Sequence, residues 1–574
     1  MGFEKLKKQP NIIMIITDQQ TWIQNWDPEW ADKELPAMKR LMANGLTFNR
    51  AHCNSCTCSP SRATLFSGTY PAHHKVKEVL GFDDPQSTEQ TMQNILSSNY
   101  QNMGKMMEAA GYHVEYKGKW HLTKPALYLN NTENVRNPKN KIDNLYWTPV
   151  DTEHIANKWR FNGWNYPDAG DDMQMFNFGG GNVNNDGRFV DGDGDSAWYE
   201  DSIPDALREK ASVLEFLKTY KDKHGDKPFF LVVSLVNPHD VLSYPGTAAS
   251  EEHDIDPKDF IDDSGRFVKN FMKDGTPLYK AAGYKDADFE HIKVKLPVSL
   301  HESLDTKPYV QTVWKKMCQG NGPIQTEEKA RKYIQFYAYL TSLVDKEINK
   351  VLQALDENNL TDDSLIVRIS DHGDMGMAHG MQRQKMYNVY RETLNVPMIF
   401  SNPKLYPEPL ETDSLSGLID LMPTLATVAG VEKHHWKFQG KDLTPVLLNP
   451  RDEVQQYVHF TYDDTYLTTK NPADMGPSHI RCIVSKRWKY AVYFDPHYGQ
   501  KAQYEMYDLV NDKAEMNNLA WEEGSGEPQR QFLHEELTRI MNELGTMPDG
   551  VIWPKISGED IWATQPDPVQ ENMI

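Results

Sequence analysis

Six short runs hold the side chains of this sequence that are equipped for chemistry: Asp18-Gln19, Cys58-Ser59-Pro60-Ser61-Arg62, Lys119-Trp120-His121, Asn237-Pro238-His239, Asp371-His372 and Lys385. A cysteine thiolate can attack an ester. Histidine titrates near working pH and suits proton transfer. Carboxylates, with or without a histidine nitrogen, can hold a divalent cation. Lysine and arginine can stabilise charge on an anionic substrate. Singly, each run also has a plainer reading. Cys58 can be a buried structural cysteine, or part of a zinc site with Cys53 and Cys56. Asp18 and Asp371 can be turn acids, Lys119 a solvated lysine and His239 a surface or capping residue.

The elements around these runs say where they sit. Asn11–Ile16, His113–Lys117, Pro228–Leu235 and Ser364–Ile369 are apolar runs of strand length. Asn102–Ala110, Ala206–Tyr220 and Ala330–Asn358 carry helical periodicity. Apolar strands separated by helices predict an α/β sheet buried on both faces. Such sheets gather ligands at the carboxyl ends of their strands, where Asp18, Asn237-Pro238-His239 and Asp371-His372 are expected. Polar insertions span 124–200 and 240–325, and loops of that length are usually functional. Beyond about residue 450, His479–Val484, Trp488–Phe494 and Tyr504–Leu509 predict short antiparallel strands, followed by a helix over Pro528–Leu544. No internal repeat is visible.

Cys58 to Arg62, continued by Ala63-Thr64-Leu65-Phe66-Ser67-Gly68, resembles the signature by which type I sulfatases have one cysteine oxidised to Cα-formylglycine. Ser67-Gly68 stands where the extended pattern usually has Thr-Gly. Gly118-Lys119-Trp120-His121-Leu122, Asp420-Leu421-Met422-Pro423-Thr424-Leu425, Tyr507-Asp508-Leu509 and Glu515-Met516-Asn517-Asn518-Leu519 resemble further segments of that family, in the expected order. The resemblance covers nearly the whole chain. It implies an alkaline-phosphatase-like α/β core, with a mixed, mostly parallel sheet between helices, and a smaller C-terminal α+β subdomain with a short antiparallel sheet. The expected division is a catalytic domain over 1–450 with the two insertions, a subdomain over 451–547, and an extended tail over 548–574.

The same resemblance implies roles. Cys58, as formylglycine, forms a hydrated aldehyde: one hydroxyl attacks sulfur and the other expels sulfate, a release that a thiolate adduct lacks. Arg62 holds the diol, Lys119 neutralises ester oxygens and His121 takes the second diol proton. His239 or Lys385 protonates the leaving oxygen. Asp18, Gln19, Asp371 and His372, together with the modified Cys58, surround one divalent cation. Calcium is favoured, with manganese or magnesium as alternatives. The Asp-Gln plus Asp-His set looks more like the choline-sulfatase and phosphonate-monoesterase branches than the three-aspartate-plus-asparagine set of many arylsulfatases. The implied function is hydrolysis of a small-molecule or saccharide sulfate monoester, after conversion of Cys58 by a formylglycine-generating maturation enzyme. Two rivals stand beside it: a phosphonate monoester or phosphodiester hydrolase with the same apparatus, and a catalytically silent binding protein on a sulfatase scaffold.

Bulk properties narrow the setting. A net charge of −21 over 574 residues argues against nucleic acid or anionic membrane as partner. It also requires a locally positive pocket if the substrate is an anionic ester. No run approaches the roughly 20 apolar residues of a membrane helix. Ile12–Ile16 is too short for a signal core, and five scattered cysteines make no disulfide framework, so the expected location is cytoplasmic. Asp191-Gly-Asp193-Gly-Asp195 lacks the glycine and glutamate of a calcium loop and reads as a solvated acidic loop. His379 reads as a support to the site or as a structural histidine. Trp147, Trp159, Trp164 and Trp198 suit either ligand stacking or the core. Trp553 and Trp562 in the tail point to docking on a neighbouring subunit, hence a homo-oligomer.

Overall fold

The computed structural model describes residues 9–80, 94–124, 149–165, 168, 190, 212–245, 277–281, 283–319, 322–464, 476–496, 500–520, 527–551 and 553–554. Its strands are β1 (Asn11–Asp18), β2 (Gly45–Phe48), β3 (Ala51–His52), β4 (His113–Gly118), β5 (Phe229–Pro238), β6 (Ser364–Ser370), β7 (Met398–Ser401), β8 (Leu410–Thr412), β9 (Ser416–Gly417), β10 (Val458–Tyr462), β11 (His479–Val484), β12 (Trp488–Phe494) and β13 (Gln503–Asp508).

Seven of them form the central sheet, in the order β4-β5-β1-β6-β7-β2-β8. β4, β5, β1 and β6 run parallel to one another. Only β7 is reversed, pairing antiparallel with both β6 and β2, while β8 lies parallel to β2. The sheet is therefore mixed and mostly parallel. β1 shows why it is buried on both faces. Ile12, Met14 and Ile16 enter one core, whereas Ile13 and Ile15 enter the other, as a period of two requires. Burying such a side chain is worth about 1.5–3 kcal/mol. The 31-residue helix Glu327–Glu357 covers the second core with Ala330, Ile334, Leu340 and Val344. Helices Cys58–Ser67, Met103–Ala109 and Leu421–Ala429 cover the first.

β10 to β13 form a four-stranded antiparallel sheet, against which the helix Glu527–Leu544 packs through Leu533, Leu537 and Met541. Trp553 lies on the same unit of its own chain, stacked on His534 and donating Nε1–H to Thr538 Oγ1 at 3.1 Å. Trp562 lies outside the described residues.

Several expected elements shift. The helix placed at Ala206–Tyr220 is Val213–His224 where described. Ser212 caps it by accepting from Glu215 N, and Gly225 closes it. β2, β7, β8 and β10 were not expected; they have only three to five residues each, too few for a period to show. The insertions contain short helices at Pro149–His154, Asp286–Phe289 and Tyr309–Gln319. Trp159 and Trp164 are core residues, and Trp164 donates Nε1–H to Gly118 O at 3.1 Å. Trp147, Trp198 and the Asp191–Asp195 run lie outside the described residues.

Candidate active site

Four adjacent parallel strands deliver side chains to one edge of the sheet. Asp18 ends β1 and Gln19 follows it, Lys119 and His121 follow β4, His239 follows β5, and Asp371 and His372 follow β6. The register sets Asp18 beside Pro238, Thr17 beside Ser370 and Gly118 beside Ser234. Gln19 and His121 have φ values of 64° and 54°, a left-handed backbone uncommon for non-glycine residues and concentrated at functional sites. Gly373 follows His372 because a side chain there would run into Glu392 O.

Cys58 is the first residue of the helix Cys58–Ser67, all ten residues of which are buried. Pro60 fits in the first turn, where its missing N–H costs nothing. Gly68 closes the helix at φ 66°. Thr57 makes no side-chain cap. Its hydroxyl donates instead to Asp464 Oδ2 at 2.8 Å, just past β10. The C-terminal unit thus braces the entry to the helix, whose positive dipole end lies at Cys58.

Cys58 Sγ is 3.1 Å from His372 Nε2 and 3.6 Å from Asp18 Oδ1. His239 lies close enough to the group for Lys119 and Asp18 to act on its charge. Ligating atoms of Asp18, Cys58, Asp371 and His372 all lie within 4.8 Å of one another, and all four residues are buried. Each carboxylate divides its work. Asp18 Oδ2 meets Lys119 Nζ at 2.8 Å and Arg62 Nη2 at 3.1 Å, leaving Oδ1 toward Cys58 and His372. Asp371 Oδ2 accepts from Arg62 Nε at 2.8 Å. Its Oδ1 accepts from the backbone N–H groups of Gln19 and His372 and lies 3.8 Å from His372 Nε2. His372 Nδ1 is 3.0 Å from Gly373 O, an acceptor only, so Nδ1 carries a proton and Nε2 faces the cluster; burial works against charge on the ring, but Asp371 and Cys58 outweigh it and raise its pKa. Two carboxylate oxygens and one imidazole nitrogen, with the histidine anchored from behind, fit a divalent cation. Gln19 Oε1 accepts from Lys385 Nζ at 2.6 Å.

The electrostatics are those of a crowded, water-poor site. Burial works against the charge on Asp18, but Lys119, His239, Arg62 and His372 overcome it and hold the carboxyl well below its usual range. Burial, reinforced by Asp18, pushes Asp371 up to about 6. Burial and Asp18 also oppose a thiolate at Cys58; Lys385, Lys119 and His372 outweigh them and lower its pKa well below the ordinary value. Burial and then Lys119 push His239 down to about 4. Lys385 is raised, because Cys58 and Asp18 outweigh its burial. Arg62, Lys119 and Lys385 thus form a positive lining inside a chain of net charge −21.

His121 is fixed by its backbone. Asp168 accepts the N–H groups of Trp120 and His121, each at 2.7 Å. His121 Nε2 donates to Leu80 O at 2.6 Å, which leaves Nδ1 as the basic nitrogen of the neutral ring.

The structure therefore brings Asp18, Cys58, Arg62, Lys119, His239, Asp371 and His372 into one cluster, with Gln19 and Lys385 joined at its margin. It separates the cysteines: Cys53 and Cys56 lie 3.7 Å from the carbonyls of Thr393 and Lys385, and neither joins a metal-competent group among the described residues. The zinc-site alternative falls with them. His379 stands elsewhere, stacked on Tyr390, with Nδ1 2.7 Å from Glu302 and Nε2 3.6 Å from Glu392. Although its atoms cluster with Glu392 and Glu515, Lys489 already pairs with Glu515 and Lys307 with Glu302. His379 is structural. Two supports had escaped the sequence: Asp374, which adjoins Asp371-His372-Gly373 and bonds Gln19, and Asp168, which lies in an insertion and carries no local signal.

Comparison with known proteins bears on the family and the fold. The family described as Sulfatase matches residues 10–431, and the one described as N-sulphoglucosamine sulphohydrolase, C-terminal, matches residues 378–543. Arylsulfatase K of Rattus norvegicus is 23% identical over 90% of this chain and 76% of its own length. A protein solved in complex with its substrate D-glucosamine-2-N,6-O-disulfate is similar in fold, with a TM-score of 0.57, 18% identity and coverage of 95% of this chain and 100% of the other. The phosphonate monoester hydrolase of Silicibacter pomeroyi gives a TM-score of 0.58 and 18% identity, covering 96% of this chain and 98% of the other.

Proposed function

The chain belongs to the sulfatase family and is a sulfatase, and from that premise we propose that it hydrolyses a sulfate monoester, using Cys58 converted to formylglycine and one divalent cation held by Asp18, Gln19, Asp371 and His372. The observation that carries this reading is the position of Cys58. Its Sγ stands 3.1 Å from His372 Nε2 and 3.6 Å from Asp18 Oδ1, at the start of a buried helix. The thiol sulfur marks where the hydroxyls of a hydrated aldehyde would branch from the same carbon. That hydrate supplies one hydroxyl to attack sulfur and a second through which sulfate is released, while the cation would polarise the ester.

The residues around it divide the remaining work. Arg62 and Lys119 hold Asp18 and Asp371 in place and add positive charge beside the sulfuryl oxygens. Lys385 keeps its proton and His239 is pushed down to about 4, so Lys385 is the better donor to the leaving oxygen. His121 takes the proton of the second hydroxyl through Nδ1, since Nε2–H is committed to Leu80 O. The ligand set of two carboxylates, one amide oxygen and one imidazole favours calcium, with manganese as the alternative.

The substrate class proposed is a saccharide sulfate ester, supported by the fold shared with the protein solved on a sulfated glucosamine. The insertions 124–200 and 240–325 of the domain proposed over 1–450 would recognise it, with 451–547 as the bracing subdomain. A phosphonate monoester or phosphodiester remains the second reading, because Gln19 and His372 stand in the ligand set and the fold matches a phosphonate monoester hydrolase. A panel of saccharide sulfate, aryl sulfate, phosphonate monoester and phosphate diester separates them by relative kcat/KM. A phosphonate or diester turned over faster than every sulfate would overturn the sulfate reading.

A further inference from the structure

Gln19 is wholly buried, and all its polar groups are engaged. Its N–H donates to Asp371 Oδ1 at 3.2 Å and its carbonyl accepts from Tyr337 Oη at 2.6 Å. The side-chain amide has one donating and one accepting end of nearly equal shape, so its direction is set by its neighbours. Two neighbours of opposite character set it here. The ammonium of Lys385 can only donate, and it meets Oε1 at 2.6 Å. Asp374 Oδ2 stands 2.8 Å from Nε2, and Gln384 Oε1 gives that nitrogen a longer contact of 3.4 Å.

Asp374 is itself held as an acceptor. Gly376 N–H donates to Oδ1 at 2.8 Å, Gln384 N–H to Oδ2 at 3.1 Å, and Tyr333 Oη lies 3.1 and 3.0 Å from the two oxygens. With the Gly376 and Gln384 N–H groups and the Tyr333 hydroxyl all aimed at its two oxygens, Asp374 meets the nitrogen end of Gln19 as an acceptor.

We infer that Asp374 is a positioning residue for the cation site: by accepting Gln19 Nε2–H it turns the amide oxygen away from itself, toward Lys385 and the cluster of Asp18, Asp371 and His372. A hard cation takes the oxygen of an amide and not its nitrogen. Without Asp374 only Lys385 still selects the oxygen end, and the flipped orientation, which presents an NH2 group to the cation, is opposed by one contact in place of two. This inference rests on the metal reading given above.

The test is calorimetric titration of the metal-stripped, full-length chain with calcium chloride and, separately, manganese chloride. Asp374→Asn is expected to bind 10- to 100-fold more weakly, about the loss seen when a ligand's outer partner is removed. The reciprocal double variant Gln19→Glu/Asp374→Asn exchanges acid and amide, needs no orientation of residue 19, and is expected to recover most of that loss. An Asp374→Asn variant that binds like the wild type, or a double variant no better than that single one, overturns this inference alone. A wild-type chain that takes up neither cation overturns the metal reading as well. Diffraction from manganese-loaded wild-type crystals needs no variant: Gln19 is expected to touch the ion while keeping Asp374, and a Gln19 turned away from Asp374 contradicts the inference.

Discussion

Arg62 Nε donates to Asp371 Oδ2 at 2.8 Å, with both side chains wholly buried. The same guanidinium gives Nη2 to Asp18 and Nη1 to Ser234 Oγ and Lys119 O. One residue thereby ties together the ends of β1, β4, β5 and β6, the four strands that carry the site. Removing one partner of a buried ion pair strands the other, at a cost of about 3–5 kcal/mol. Arg62→Ala should lose about that much in chemical denaturation. Arg62→Lys keeps the charge but not the planar fork, so it should fold better than the alanine variant and still lose most of kcat. An alanine variant as stable as the wild type would contradict this role.

Asp168 controls His121 through the backbone. Its two 2.7 Å bonds fix a left-handed residue whose ring is the proposed base. Hydrogen bonds to a charged partner are worth about 1.5–3 kcal/mol, and each 1.36 kcal/mol is about tenfold in rate. Asp168→Ala should therefore reduce kcat about 10- to 100-fold, with Asp168→Asn in between. An unchanged kcat would show that His121 needs no such clamp, or is not the base.

Acid stability has a separate origin. Burial pushes His52, His74 and His459 down to about 3, whereas the unfolded value is near 6.5. Between those limits the unfolded chain binds protons that the native chain refuses. Each histidine therefore removes about 1.4 kcal/mol of stability for every pH unit of acidification through that window. Asp345 and Asp420 act in the opposite sense: burial pushes both up to about 6, so their contribution declines as pH rises from about 4 to 6. His459 lies between Cys482 O and Thr546 Oγ1, each at 2.9 Å. In urea unfolding from pH 4 to 7, His459→Gln should flatten the acid limb relative to wild type, and Asp345→Asn should steepen it. Parallel curves for all three proteins would refute the assignment.

Chelation should act on stability and turnover together. Stripping the proposed cation would leave Asp18 and Asp371 sharing a buried site with charges matched by Arg62, Lys119, Lys385 and the histidine. A ligand present at 100 times its Kd stabilises by about 2.7 kcal/mol. Chelator-treated protein should lose activity and melt earlier, and calcium or manganese should restore both. Full activity after chelation, with no metal remaining by elemental analysis, would remove the cation from the mechanism.

Much of this was legible in the chain, because apolar strands ending in Asp18 and Asp371, and the Cys58 and Lys119 runs, are local signals. β1 and β6 were found within two residues of their ends because five consecutive apolar residues such as Ile12–Ile16 need burial on both faces. The reversed strand β7 and the short β2 and β8 were not found, since three or four residues show no period and pair only through distant partners. Asp168 and the exact turn of Gln19 were invisible for a related reason. Each is set by contacts between segments far apart in sequence, and spacing reports nothing about them. The tryptophans Trp159 and Trp164 show the converse: aromatic residues in a polar insertion look like ligand platforms but serve the core.

The central claim is the chemical identity of residue 58, and peptide mass spectrometry across Cys58 tests it most directly, on protein from its native host or co-expressed with a maturation enzyme. The account predicts that the peptide is lighter by the difference between a CH2SH and a CHO group, and that Cys58→Ala folds normally but turns over no ester. An unmodified thiol in protein that hydrolyses sulfate esters at full rate would contradict it.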